Sequence, residues 1–270
     1  MSRADKSAAA LSRRWTHLSR AQQLARRAAM KRAEQNYMDS LKAKIPPKAR
    51  EKLEWAFGKG FSAVFEYGDD IIEKSYAREK ENRRHSNREE HIASGSASPA
   101  LRDLESSAFW SDSLNMLLTT VEGVGLGALG VGMPDIVLFV AMILRGVREA
   151  AAQYGRSMDS ESEQLLSLCM LETAMLSGED WVERDALVER MIVHPDDYPP
   201  TPEAFDEQIQ RTAAAFATDL LVLKFIQGLP IVGLVGGLSN PVYYRKVMNY
   251  VRLKYERAYV SELIARSTSK

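Results

Sequence analysis

The stretch that decides the fold is EGVGLGALGVGMPDIVLFVAMILR, residues 122 to 145, in which a glycine-dense apolar tract passes through Pro134-Asp135 into a hydrophobic run. A second tract of the same kind, IQGLPIVGLVGGLSN, occupies residues 226 to 240. Two such tracts in one chain indicate close helix packing or membrane contact, because small residues let helices approach each other and apolar residues avoid water.

The first tract contains a literal G-x-G-x-x-G at Gly125, Gly127 and Gly130, the spacing of a dinucleotide-binding loop. That fingerprint requires a strand before the glycines and a helix that begins at the last one, so that backbone amides meet the pyrophosphate. Residues 114 to 121 instead have a helical composition, and Pro134 follows soon after Gly130. The sequence therefore predicts no nucleotide site and no cofactor.

Two interpretations of the tracts remain. Each glycine costs a helix about 1 kcal/mol relative to alanine, which favours bends of two helical hairpins packed in the core. From Gly123 to Leu144 the only charge is Asp135, so the segment is also long and apolar enough to enter a bilayer. Asp135 and Pro134 favour a shallow or re-entrant hairpin over a simple span. The candidate membrane or packing tips are Gly125, Gly127, Gly130, Pro134, Pro230, Gly233, Gly236 and Gly237.

The rest of the chain has helical patterning, with no sustained alternation of apolar and polar residues. We expect an all-α, multi-helix bundle. Helix starts are predicted at the capping box Ser160 to Glu163, at Thr201-Pro202 and at Asn240-Pro241. In the last helix an apolar stripe is interrupted by Lys254; its apolar members are Val247, Tyr250, Val251 and Ala258.

Charge is unevenly distributed although the net charge is zero. Residues 1 to 50 contain 13 Lys/Arg and 3 Asp/Glu, whereas residues 111 to 270 contain 14 and 21. We predict a basic amphipathic arm over residues 1 to 47 and a helical domain over residues 48 to 270, with an exposed linker near 81 to 100. The apolar face of the arm holds Leu11, Trp15, Leu18, Ala25 and Ala29, and the opposite face holds Arg13, Arg20, Arg27 and Lys31.

The sequence offers few residues in the spacings that catalytic or metal sites require. The four histidines lack the spacing of a helical metal motif, so no metal site is predicted. Cys169, the only cysteine, lies in an apolar helix and is expected to be an inert buried thiol. We expect Asp135 or Asp219 to pair with Lys224 or Arg145 between helices, since a charge buried alone is costly.

The two tracts resemble motifs of the EcsC family, named for a protein encoded beside an ABC transporter. The resemblance is carried by Asp135 to Arg145 with Tyr154-Gly155, and by Lys224 to Gly233 continuing through Gly236-Gly237 to Asn240. It covers roughly residues 50 to 265. It implies a mostly helical bacterial protein of unestablished biochemical role, with an expected link to membranes or transport, and it supplies no catalytic residues.

The function that these observations favour is non-enzymatic association with a membrane surface or a membrane-transport partner. The protein is then expected in the cytoplasm, on the inner face of the cell membrane, with the basic arm attracted to anionic lipid. An alternative is a hydrolase-like enzyme with an acidic pocket around Asp135 and Asp219. Nucleic-acid binding by the arm is not favoured, because no base-reading motif accompanies the charge.

Overall fold

A computed structural model describes residues 3–34, 45–66, 133–226 and 241–268 of the chain. These residues form helices and contain no strand, which confirms the all-α prediction. In chain order the helices are α1 (Arg3–Glu34), α2 (residues 47–66), α3 (Met133–Gln153), α4 (Glu161–Met175), α5 (Gly178–Val193), a 3-10 turn (Pro195–Asp197), α6 (Pro202–Ile226) and α7 (Pro241–Thr268).

Backbone contacts divide the chain into two compact units. The larger unit comprises Met1–Gly58 and Ile143–Lys270, and the smaller one comprises Lys59–Met142. The N-terminal segment therefore belongs to the larger unit, and the predicted division into an arm and a domain after residue 47 stays a prediction. The predicted linker near 81 to 100 lies outside the described residues.

The structure shows the predicted capping hydrogen bond at one helix start and the predicted first residue at another. The backbone N–H of Ala204 donates to Thr201 Oγ1 at 3.2 Å, and α7 begins at Pro241. At α4 the helix begins after Ser160 as predicted, but the Ser160 side chain makes no capping hydrogen bond. The second part of a capping box is the acidic side chain that bonds back to the N-cap backbone. Here that side chain is Glu163, and its Oε2 lies 3.3 Å from Arg156 Nη1 instead.

The core of the larger unit is built around α4, which packs against α5, α6 and α7. Leu168, Met170 and Leu171 are fully buried, and apolar residues occur all around this helix because it has neighbours on several sides. Phe57 and Phe216 add an aromatic contact, with ring centroids 5.6 Å apart. This scaffold fixes the positions of α5 and α7.

The N-terminal helix α1 packs on the outside of this scaffold, against α5 and α7. It runs antiparallel to α7, because Arg14 near its start pairs with Glu256 and the charge of Arg32 near its end acts on Lys246. The predicted apolar stripe of α7 is confirmed by the burial of Val247, Tyr250, Val251 and Ala258.

Candidate functional site

The outward face of α1 is cationic, as the helical wheel predicts. Arg13, Arg20, Arg27 and Lys31 are all exposed. At a rise of about 1.5 Å per residue, the row from Arg13 to Lys31 is about 27 Å long. Within the described ranges, none of the four makes an ion pair. The face therefore presents four positive charges that other parts of the described chain leave uncompensated.

Two further features lie on the same exposed side of α1. Leu24 is 63% exposed, and on the helical wheel it lies about 40° from Arg20, on the side of α1 that carries the four cations. An open groove of about 570 Å³ is lined by α1 residues that include two of the four cations; the lining residues are Gln23, Arg26, Arg27, Met30 and Lys31. The outward surface thus combines cations with an apolar side chain.

The inward face of α1 is held by few apolar and several polar contacts. Leu18 and Ala29 are buried, whereas Leu11, Trp15 and Ala25 are half-buried. Gln22 Nε2 donates to Asp185 Oδ2 at 2.6 Å, which joins α1 to α5. Two contacts join α1 to α7: the ion pair of Arg14 with Glu256, and the Arg257 guanidinium 4.7 Å from the centroid of the Trp15 ring.

A buried lysine cluster lies where α1, α5 and α7 meet. Lys254 is fully buried, and its Nζ lies 2.6 Å from both Asp185 Oδ1 and Glu189 Oε1. The Tyr250 hydroxyl donates to Asp185 Oδ1 at 2.7 Å. Burial and the neighbouring Asp185 raise the pKa of Tyr250 well above its ordinary value, so the hydroxyl keeps the proton that it donates. The ammonium is thus paired and hydrogen-bonded, as a buried charge must be.

Sequence reasoning noticed Lys254 only as an interruption of the α7 stripe and did not identify Asp185. The signal for Asp185 was present, because it lies four residues after Trp181 and three before Val188, both of which are buried on α5. Lys254 and Asp185 each place a charge on the apolar face of a helix, which marks both as candidates for a buried ion pair. Which candidates pair depends on which helices are neighbours, and the sequence alone does not show that.

A second buried polar cluster joins α4, α5 and α6. Glu172 pairs with Arg184 and accepts a hydrogen bond from Gln208 Nε2 at 2.7 Å, and Arg211 Nε lies 3.4 Å away on the other carboxylate oxygen. Next to it, burial raises the pKa of the Cys169 thiol to about 12. A thiol so far from ionisation is a poor nucleophile. Together with the burial of Cys169 in α4, this agrees with the inert role expected from the sequence.

Two of the predicted interhelical charges have ion-pair partners among the described residues, and the predicted pairing of Asp135 or Asp219 with Lys224 or Arg145 stays a prediction. Asp219 Oδ1 lies 2.9 Å from Lys246 Nζ, which joins α6 to α7. Burial lowers the pKa of Lys246, and Asp219 opposes that effect. Arg145 pairs with Glu149 one helical turn further along α3, at 3.0 Å. Asp135 and Lys224 lie in α3 and α6, but their side chains are outside the described part, as is Asn240 entirely.

Most of the glycine and proline tips predicted from the sequence lie outside the described residues. These are Gly125, Gly127, Gly130, Pro230, Gly233, Gly236 and Gly237. Pro134 is the second residue of α3, a position where proline is tolerated because no helical hydrogen bond is lost there. The hairpin predictions therefore stay predictions.

The described part of the chain was expected to show a metal site or a membrane-spanning helix only if its side chains and helices have the arrangement that each requires. In residues 3–34, 45–66, 133–226 and 241–268, no group of His, Cys, Asp and Glu side chains is arranged to hold a metal ion. Within the same ranges, no helix combines the length and the apolar character that crossing a bilayer requires.

Comparison with known proteins gives the family. No curated protein and no solved structure matches the chain. The model of the EcsC protein family matches residues 12–258, which begins inside α1 and ends inside α7. Most of α1 and the whole Lys254 cluster are thus within the matched region. Because the match covers most of the chain, this protein belongs to the EcsC protein family.

Proposed function

We propose that the protein attaches to anionic membrane surfaces through the cationic face of α1. The observation that carries the proposal is the row of exposed Arg13, Arg20, Arg27 and Lys31. Because the opposite face of α1 is packed on α5 and α7, the scaffold holds these charges outward in a fixed row. A flexible basic tail would have to lose conformational freedom on binding, whereas a packed helix has already lost it.

The expected strength follows from the charge. A basic side chain near an anionic bilayer contributes about 1 kcal/mol, so the four together contribute about 4 kcal/mol, or roughly a thousandfold in affinity. Binding must weaken with added salt, because the Debye length is only about 8 Å at physiological ionic strength. We include attachment to the cytoplasmic face in the proposal, since that leaflet carries the negative surface potential.

Co-sedimentation with vesicles tests the proposal. Vesicles of phosphatidylcholine alone are compared with vesicles that also contain phosphatidylglycerol, at low and at physiological salt. We expect binding only to the anionic vesicles, and we expect the combined variant Arg13→Gln, Arg20→Gln, Arg27→Gln and Lys31→Gln to lose it.

A matched control separates a binding face from net charge. The variant Lys48→Gln, Lys52→Gln, Arg245→Gln and Arg252→Gln removes the same charge from exposed positions on α2 and α7. It should keep most of the binding. Equal losses in the two variants would refute an α1 site, and the absence of binding to anionic vesicles would refute membrane attachment. A gel-shift titration with duplex DNA should show no binding at physiological salt.

A further inference from the structure

We propose that α1 leaves α5 and α7 when the protein meets an anionic membrane, and then lays its apolar face on the lipid. This inference rests on the proposed attachment of α1 to anionic lipid. The cationic face makes the first contact while α1 is still packed. Leu11, Trp15 and Leu18 then exchange a protein surface for a lipid surface, and because they cannot face both, the two positions of α1 exclude each other.

The joint between α1 and the scaffold is polar at its centre. Gln22 Nε2 is bonded to Asp185, but Gln22 Oε1 is buried and has no hydrogen-bond partner among the described residues. This buried carbonyl oxygen without a partner offsets part of what the hydrogen bond to the charged Asp185 contributes, and release into water satisfies it. Of the α1 side chains that the structure describes, the buried apolar ones are Leu18 and Ala29. Gln22, at the centre of this contact, is therefore the α1 residue whose hydrogen bonding is incomplete in the packed position.

The buried ion pairs of the Lys254 cluster, which lies beneath α1, do not depend on α1. Lys254 keeps both of its carboxylate partners, Asp185 and Glu189, because all three residues lie on α5 and α7. Tyr250 also keeps its hydrogen bond to Asp185. When α1 leaves, Asp185 Oδ2 loses its hydrogen bond from Gln22, and water can hydrate that oxygen instead. Release of α1 thus leaves the ion pairs of the cluster intact.

The hydrogen bond from Gln22 to Asp185, which we call the latch, holds α1 in the packed position and should therefore affect lipid binding. If only a small fraction of the protein has α1 released, the contribution of the apolar face to the lipid affinity is reduced by that fraction, whereas the weaker attachment of the packed form through the cationic face is not. Gln22→Ala removes a hydrogen bond to a charged group and should raise the released fraction, and with it the affinity for anionic vesicles, about tenfold. Gln23→Ala is the matched control, because Gln23 is the next residue but is exposed. It should leave the affinity unchanged.

The movement itself is measured by the distance between two spin labels. Ala28→Cys on α1 and Asn249→Cys on α7 place labels at exposed positions on the two neighbouring helices. Native Cys169 is buried and stays unlabelled in the folded protein. Without vesicles, or with phosphatidylcholine vesicles, one short distance is expected. With phosphatidylglycerol-containing vesicles a longer distance should appear, and Gln22→Ala should increase its population.

Each result decides between the two proposals. If the labelled protein sediments with anionic vesicles but keeps the single short distance, α1 is not released, and membrane attachment stands without this inference. If Gln22→Ala leaves the vesicle affinity unchanged or lowers it, Gln22 is not a latch and the inference is overturned. If the protein does not sediment with anionic vesicles at all, the proposed function fails and this inference fails with it.

Discussion

Replacing Lys254 with methionine tests whether the buried cluster organises the larger unit. Methionine is close to lysine in length but removes the ammonium that Asp185 Oδ1 and Glu189 Oε1 contact at 2.6 Å. Two carboxylates would then face each other without the cation between them. Breaking a buried ion pair from one side costs about 3–5 kcal/mol. That is a large share of the roughly 5–15 kcal/mol by which domains are stable.

Urea unfolding followed by far-UV circular dichroism measures this effect. We expect Lys254→Met to lower the free energy of unfolding by about 3–5 kcal/mol. Lys52→Met is the matched control on the exposed side of α2 and should change it by less than about 0.5 kcal/mol. In a double-mutant cycle, Lys254→Met combined with Asp185→Asn should cost less than the sum of the two single changes, by about 1–3 kcal/mol. A Lys254→Met protein as stable as the parent would refute the reasoning.

Three further predictions concern the thiol, alkaline pH and the exposed leucine of α1. Cys169 should not react with Ellman's reagent at pH 8 in the folded protein and should react fully in urea, because its pKa is raised to about 12 and the thiol is buried. Folding raises the pKa of Cys169 and of five tyrosines above their unfolded values, so the folded state binds more protons at high pH. The stabilisation is lost as pH rises from the unfolded pKa values through the folded ones; the five tyrosines are Tyr154, Tyr243, Tyr244, Tyr250 and Tyr255. Lys246, whose pKa is lowered, acts in the opposite direction but is one group against six. The free energy of unfolding, measured in urea, should therefore fall above about pH 9, and a constant or rising value would contradict this. Leu24→Gln should weaken binding to anionic vesicles by at most about a hundredfold, since a leucine that passes from water to full burial in lipid contributes about 1.5–3 kcal/mol; unchanged binding would show that Leu24 does not touch lipid.

The helical architecture follows from local patterns that each sequence segment carries by itself. The N-terminal ends of α6 and α7 were predictable because Thr201-Pro202 and Asn240-Pro241 specify a helix start without help from distant residues. The cationic face of α1 was predictable for a similar reason, since the 3.6-residue period sets which side chains share a side. The capping box at Ser160 was less reliable, because Arg156, which lies outside the four-residue box, pairs with the Glu163 carboxylate that the box requires.

The partners of buried charges depend on which helices are neighbours, and no local pattern encodes that. The sequence predicted that Asp135 or Asp219 meets Lys224 or Arg145, and it did not identify Lys246 of α7, with which Asp219 pairs. The predicted pairing stays a prediction, because the side chains of Asp135 and Lys224 are outside the described residues. Lys254 interrupts an apolar stripe in the sequence, and only the packing of α7 against α5 shows that Asp185 and Glu189 neutralise it. By itself the sequence determined the helices, the basic face of α1 and the resemblance to the family. The tertiary structure decided that α1 packs on α5 and α7 through Gln22, Arg14 and Trp15, because complementary surfaces form only when distant segments fold together.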